Sequence, residues 1–253
     1  MTDLAQATRF PTDSFNFIKY LQGIPFESEA VSYYATLSAA DTVKSSRNTT
    51  SFRRSDGTEW AVEELIAMQF SYVKELAESV AGEKVTDVVV TVPPFYTQGE
   101  RDAVVDAIEI AGLRTLALIN DGTAVAINYA MTRTFLEPEI HIIYDAGASA
   151  IRTTLVEFST VESTGKGKPK TYTQVNVLSS GFDRRSGGTE LDRRLFKILV
   201  DDFMGKHKID ITKDKRAMSK FRKEANRLKT ILSANNEAVS TVRDTSHDVP
   251  PGP

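Results

Sequence analysis

The stretch Ile140-His141-Ile142-Ile143-Tyr144-Asp145-Ala146-Gly147-Ala148-Ser149-Ala150 decides how the fold is read. A mainly apolar run ends at Tyr144, a carboxylate follows, and small side chains come after it. The run predicts a buried strand over 140–145. Ala146 to Ala150 predicts a tight connection, and Ile151 to Phe158 alternates like a strand leaving it. Two chemistries suit such a segment. Small side chains let backbone N–H groups approach a phosphate, with Asp145 holding a hydrated Mg²⁺ or orienting a water. The plainer alternative, favoured by these residues alone, is a tight hairpin with an Asp in its turn.

Working upstream, Thr86 to Val92 is β-branched and bounded by Pro93-Pro94, which predicts a central strand covered on both faces. A helix over 97–111, a stop at Gly112 and a second buried strand over 113–119 follow. Then comes Asn120-Asp121-Gly122-Thr123 and a helix over 124–131, which repeats the order strand, acid, small residues. Asp121 or Thr123 as a helix cap is the plainer alternative. Two acid-tipped strands in one sheet strengthen the phosphate and metal reading. Residues 60–80 predict a helix whose stripe, including Val62, Ile66, Val73, Leu76 and Val80, packs in a core. Val31 to Leu37 alternates loosely and reads as a strand. Residues 45–57 are turn-rich, and Asn48-Thr49-Thr50 fits the N-glycosylation pattern.

Downstream, 162–170 reads as a basic hairpin tip, 172–178 as a strand, and 187–203 and 213–232 as helices. Residues 246–253 read as an irregular tail. Strands alternating with helices predict an α/β fold with a largely parallel sheet, in which ligands bind beyond the carboxyl ends of strands.

Composition sets limits. The chain has 253 residues, 41% apolar and 26% charged, which is enough to bury a core. The net charge of -3, with Lys and Arg spread along the chain, argues against a nucleic-acid face. With no cysteines, disulfides, thiolate zinc sites and cysteine nucleophiles are excluded. His141, His207 and His247 lie far apart without ligand spacing, so a metal–histidine site is not expected. No apolar run is long enough to span a bilayer, and Met1 to Arg9 lacks the pattern of a signal peptide.

Several motifs in one consistent order resemble the heat-shock-70 ATPase domain. They are Val85 to Phe95, Gln98, Arg101, Ala111-Gly112-Leu113, Ile119 to Ala126, Asp145 to Ser149, Gly187-Gly188 and Arg227 to Ser233. The likeness runs from about Pro11 to Val242. Tyr144 to Ser149 and Gly181-Phe182-Asp183-Arg184 resemble the large endoplasmic-reticulum class, the 170-kilodalton glucose-regulated and hypoxia up-regulated relatives, more than the standard members.

The resemblance implies an actin-like ATPase fold with ribonuclease-H-like lobes. It divides the chain into the remainder of a first lobe (1–138), part of a second (139–245) and the tail. It implies ATP or ADP with Mg²⁺ as cofactors. Lys19, Asp121 and Asp145 become the catalytic candidates, with Asp145 holding Mg²⁺ through water. Gly147, Ala148, Ser149, Gly187, Gly188, Lys229 and Ser233 become nucleotide-binding candidates.

The departures from the family are specific. The second phosphate loop has lost most of its glycines, and Arg152 stands where a second acid is usual. Asn226 replaces a ribose-contacting glutamate, and Thr230 an arginine beside the adenine. The family's first phosphate loop, last adenosine loop and substrate-binding domain are not found in the chain.

The expected function is therefore an ATP-binding chaperone domain that assists protein folding, with at most weak hydrolysis. A nucleotide-exchange role toward a standard heat-shock-70 partner, unfolded clients and a place in the endoplasmic reticulum lumen attach to the full-length relative. No nucleic-acid or membrane partner is expected. The alternative is a truncated, non-catalytic interaction fragment that binds no nucleotide.

Overall fold

A computed structural model describes residues 4–162 and 171–242. The expected basic tip at 163–170, His247 and the tail at 246–253 lie outside the described residues. The chain divides into two compact units, Met1–Gln69 with Glu190–Pro253, and Phe70–Thr189. The lobe boundary expected at 138/139 falls inside the second unit.

The second unit begins within the helix α3 (Val62–Ala81) and continues through strand β4 (Asp87–Val92), helix α4 (Gln98–Ile110), strand β5 (Arg114–Asn120) and helix α5 (Asp121–Ala130). Thr97 starts α4 with a reciprocal cap. Its hydroxyl accepts from Glu100 N–H at 3.4 Å, and the Glu100 carboxylate accepts from Thr97 N–H at 2.8 Å. Gly112, with φ of 69°, turns the chain out of α4. That crossover lays β5 parallel to β4, in register from Asp87↔Arg114 to Val92↔Asn120. Val92, Val104, Ile108 and Leu113 form the core between α4 and this sheet. The opposite face is open, with Leu116 61% exposed and Val89 50% exposed. The two strands are therefore covered on one face, not on both as their apolar runs predict.

Strands β6 (Glu139–Ala146), β7 (Ile151–Glu162) and β8 (Thr171–Asp183) complete the unit as an antiparallel sheet. Thr154, Val156 and Phe158 alternate inward along β7. Val156 and Phe158 join Phe135 and the α5 residues Ala126 and Ala130 in a second core, where Phe135 stacks on Phe158 at 4.8 Å. Among the described residues, only β4 and β5 pair in parallel. The predicted largely parallel sheet does not form, because the short connection from β6 to β7 permits only a hairpin.

The first unit holds helices α1 (Leu4–Arg9) and α2 (Glu29–Leu37), with a 3-10 turn at Ile18–Leu21 between them. An antiparallel meander follows, made of β1 (Asp41–Lys44), β2 (Thr50–Arg53) and β3 (Glu59–Ala61). Residues 31–37 form a helix, not the expected strand. Tyr34 and Leu37, three residues apart, turn to one buried face. Tyr34 and Phe15 both pack on the buried ring of Phe52, at 5.5 and 5.0 Å.

Two helices near the carboxyl end, α6 (Gly188–His207) and α7 (Lys215–Leu232), belong mainly to this unit. Asp214 caps α7 by accepting from Arg216 and Ala217 N–H. Ala217, Phe221, Ala225 and Leu228 form its buried stripe beneath a charged surface. The long α3 stripe is only half buried. Val62 and Ile66 are enclosed, whereas Val73, Leu76 and Val80 are exposed.

Candidate functional site

The connection between β6 and β7 closes as a tight hairpin. Gly147 N–H donates to Ala150 carbonyl at 3.0 Å, and Ala146 pairs with Ile151. This is the turn that the small residues predict, and it places Ala148 and Ser149 at an exposed tip.

The hairpin is joined to the start of α6. Gly188 N–H donates to Gly147 carbonyl at 3.1 Å, and Thr189 N–H to Ala148 carbonyl at 2.8 Å. Two donors at the helix start are thereby satisfied by the loop. Gly187 makes the approach possible. A Cβ there would lie 2.4 Å from the Ala148 carbonyl oxygen and 2.8 Å from Ala150 N. Gly147, Ala148, Ser149, Gly187 and Gly188, predicted from separate stretches of sequence, thus come together in one backbone corner.

Two acids flank that corner. Asp121 opens α5, and its Oδ1 accepts from Gly122 N–H at 2.7 Å. Gly122 is buried against Thr154, whose Oγ1 lies 2.0 Å from where a Cβ would stand. Asp145 lies across from Arg152 in the hairpin register. The Arg152 guanidinium donates from one nitrogen to Asp121 Oδ2, and its other nitrogen forms an ion pair with Asp145 Oδ2 at 2.7 Å. Its side chain is 17% exposed, and among the described residues its Nε is buried without a partner.

The two carboxylates expected at Mg²⁺ therefore already share a fixed cation. Among the described residues, no three His, Cys, Asp or Glu side chains gather as a metal cage. The donor set does not fit a second cation between Asp121 and Asp145.

The Gly181 to Arg184 run has a packing role at this end of the sheet. Arg184 donates to Phe95 carbonyl at 2.8 Å and pairs with the buried Glu100 carboxylate at 3.2 Å. Its guanidinium lies over the Phe95 ring, and Phe182 packs on the same ring at 4.8 Å. This clamp connects the end of β8 to the cap of α4. Beside it, burial pushes the Tyr96 phenol up to about 12, with the Glu100 charge adding to the effect.

In the first unit, Lys19 is exposed on the 3-10 turn, and among the described residues no hydrogen bond or ion pair holds it. Lys229 of α7 pairs with Asp192 of α6 at 2.6 Å, and Asn226 donates to the same carboxylate at 3.3 Å. Ser233 is exposed, and its hydroxyl donates to Thr230 carbonyl. Glu190 is buried, accepts from Arg193, Arg194 and Tyr33, and has its pKa drawn down to about 2, chiefly by the Arg193 hydrogen bonds.

Sequence reasoning did not anticipate Asp192 or the bridging position of Arg152. The signal for Arg152 was present, because its charge is opposite to that of the acid usual at its place.

Comparison with known proteins identifies the family. A family model described as Hsp70 protein matches residues 3–248. Heat shock protein 70 homolog lhs1 of Schizosaccharomyces pombe is 38% identical over 248 residues, covering 96% of this chain and 29% of the relative. Hypoxia up-regulated protein 1 of Xenopus laevis is 37% identical over 256 residues, covering 97% of this chain and 39% of the relative. The Gallus gallus protein of that name is 34% identical, with 97% and 25% covered. The chain thus spans well under half the length of these relatives. The two acid-tipped strands lie in different sheets, β5 with β4 and β6 with β7, and not in one sheet as expected. The match along nearly all of the chain's residues establishes that it belongs to the Hsp70 family, whose ATPase domain has the actin-like fold.

Proposed function

We propose that this chain is the nucleotide-binding part of an Hsp70-type chaperone, and that the 145–150 hairpin with Gly187 and Gly188 receives the phosphates of ATP or ADP. The observation that carries this reading is the Gly187 corner. Two backbone hydrogen bonds and an absent Cβ fix a loop of small residues at the end of β6. The Gly147, Gly188 and Thr189 N–H groups are used within the corner, so it serves as a rigid frame that holds the exposed Ala148–Ser149 tip where phosphate oxygens would approach.

By resemblance, Lys19, Lys229 and Ser233 in the first unit are further nucleotide contacts, and Asp121 and Asp145 remain the acids nearest the phosphates. With both acids held by Arg152, hydrolysis is weak or absent. The names of the relatives, a heat shock protein homolog and a hypoxia up-regulated protein, support a stress-related chaperone role, and by resemblance to the large class its place is the endoplasmic reticulum lumen. Client binding and nucleotide exchange on a partner chaperone belong to the whole protein.

A second reading, an interaction fragment without nucleotide binding, is favoured by the Arg152 bridge itself. Calorimetric titration with ATP in Mg²⁺ buffer separates the two. Micromolar binding is expected. An absence of heat from a cooperatively folded sample supports the second reading instead.

A further inference from the structure

We infer that Arg152 stands in for the divalent cation in this chain, so that a nucleoside triphosphate binds the 145–150 hairpin without a metal requirement. The inference rests on the nucleotide-binding reading above and adds a property specific to this sequence.

Three observations place the guanidinium as a built feature. The first is register: Asp145 and Arg152 are direct partners across β6 and β7, so their side chains share one face. The second is the fixing of Asp121. Gly122 N–H occupies its Oδ1, which leaves Oδ2 for Arg152. The third is space. A Cβ at Gly147 would lie 3.0 Å from the Arg152 terminal nitrogen, so the glycine leaves room for the guanidinium.

Chemistry then decides what the corner accepts. An arginine stays charged throughout the accessible pH range, and its planar fork suits two carboxylates at once. Partly buried charges of this kind need their counter-charges close by. A divalent ion coordinated by Asp121 and Asp145 would have to displace the guanidinium from both acids or sit against its positive charge. Mg²⁺ also demands near-octahedral geometry and keeps several waters, which leaves little tolerance for such a neighbour. A phosphate can still approach the exposed Ala148–Ser149 tip, because that approach meets peptide groups and not the acids.

The test compares ATP titrations of the full chain in excess Mg²⁺ and in EDTA, together with Mn²⁺ titration followed by electron paramagnetic resonance without nucleotide. ATP affinities within about threefold of each other, and Mn²⁺ left free in solution, are expected. Affinity at least about tenfold weaker in EDTA overturns the inference but leaves the nucleotide-binding reading intact. Stoichiometric Mn²⁺ binding by the native sequence also overturns it. Heat in neither ATP titration overturns the nucleotide-binding reading, and the inference with it. Arg152→Asp is expected to create Mn²⁺ binding and a Mg²⁺ requirement of about tenfold for ATP. The arms on the native chain decide the matter even if that variant does not fold.

Discussion

The phosphate-loop corner of the second unit and the α6–α7 helix pair of the first use opposite arrangements of charge. In the corner, one cation, Arg152, spans two acids. In the helix pair, one acid, Asp192, holds Lys229 and Asn226. The corner therefore consumes the groups that would face a metal, whereas the helix pair consumes groups that by resemblance would face the nucleoside. The corner is also fixed by its backbone, through Gly187 and two hydrogen bonds, while among the described residues the helix pair is joined through side chains, by Asp192 and by Phe203 on Phe221 at 5.3 Å. Backbone order survives loss of any one charge.

That difference is open to direct attack, and the largest expected effect lies in the corner. Gly187→Ala forces a methyl group into the Ala148 and Ala150 backbone, which cannot move aside like a flexible side chain. It should cost about 3 kcal/mol of unfolding free energy by chemical denaturation. A loss below about 0.5 kcal/mol would mean that the close approach is not maintained.

Next in size is Glu190→Gln in the first unit. The carboxylate is buried among Arg193, Arg194 and Tyr33, so its loss should cost about 2 kcal/mol near neutral pH. The pH dependence has a definite sign. The folded pKa of about 2 lies below the ordinary value of 4.5, so the native chain binds fewer protons than the unfolded one between them. This contribution is complete above the unfolded pKa and is lost as pH falls from about 4.5 through about 2. The variant should lack that part of the acid sensitivity, and parallel profiles for the two proteins would contradict the assignment.

The smallest effect on stability is expected at Lys19, which is exposed and unpaired among the described residues. Lys19→Ala should change unfolding free energy by no more than about 0.5 kcal/mol. ATP affinity should nevertheless fall, and an unchanged affinity would remove Lys19 from the nucleotide contacts.

Local rules made part of this molecule legible. The helix expected over 97–111 forms as α4, and a Thr97–Glu100 cap within four consecutive residues fixes its start. Phe158 and Val156 marked the inner face of β7 by alternation. The misreadings share a different cause. Val73, Leu76 and Val80 continue the α3 stripe that Val62 and Ile66 begin, but no periodicity can say whether a partner covers it. Residues 31–37 contain β-branched and aromatic side chains, yet Tyr34 and Leu37 bury together only on a helix. In the site, the small residues and acids were readable one by one. Their convergence was implied by family likeness and not by spacing. The bridge made by Arg152 depends on strand register, which a hairpin sets only once it closes.

The central claim is that a backbone corner made by residues 145–150 and 187–189 receives the phosphates. Hydrogen exchange measured by mass spectrometry with and without ATP tests it most directly. Peptides covering 145–152 and 186–190 should gain protection on ATP addition, with little change along β1 to β3. Protection confined to other segments, or none at saturating ATP, would contradict the account.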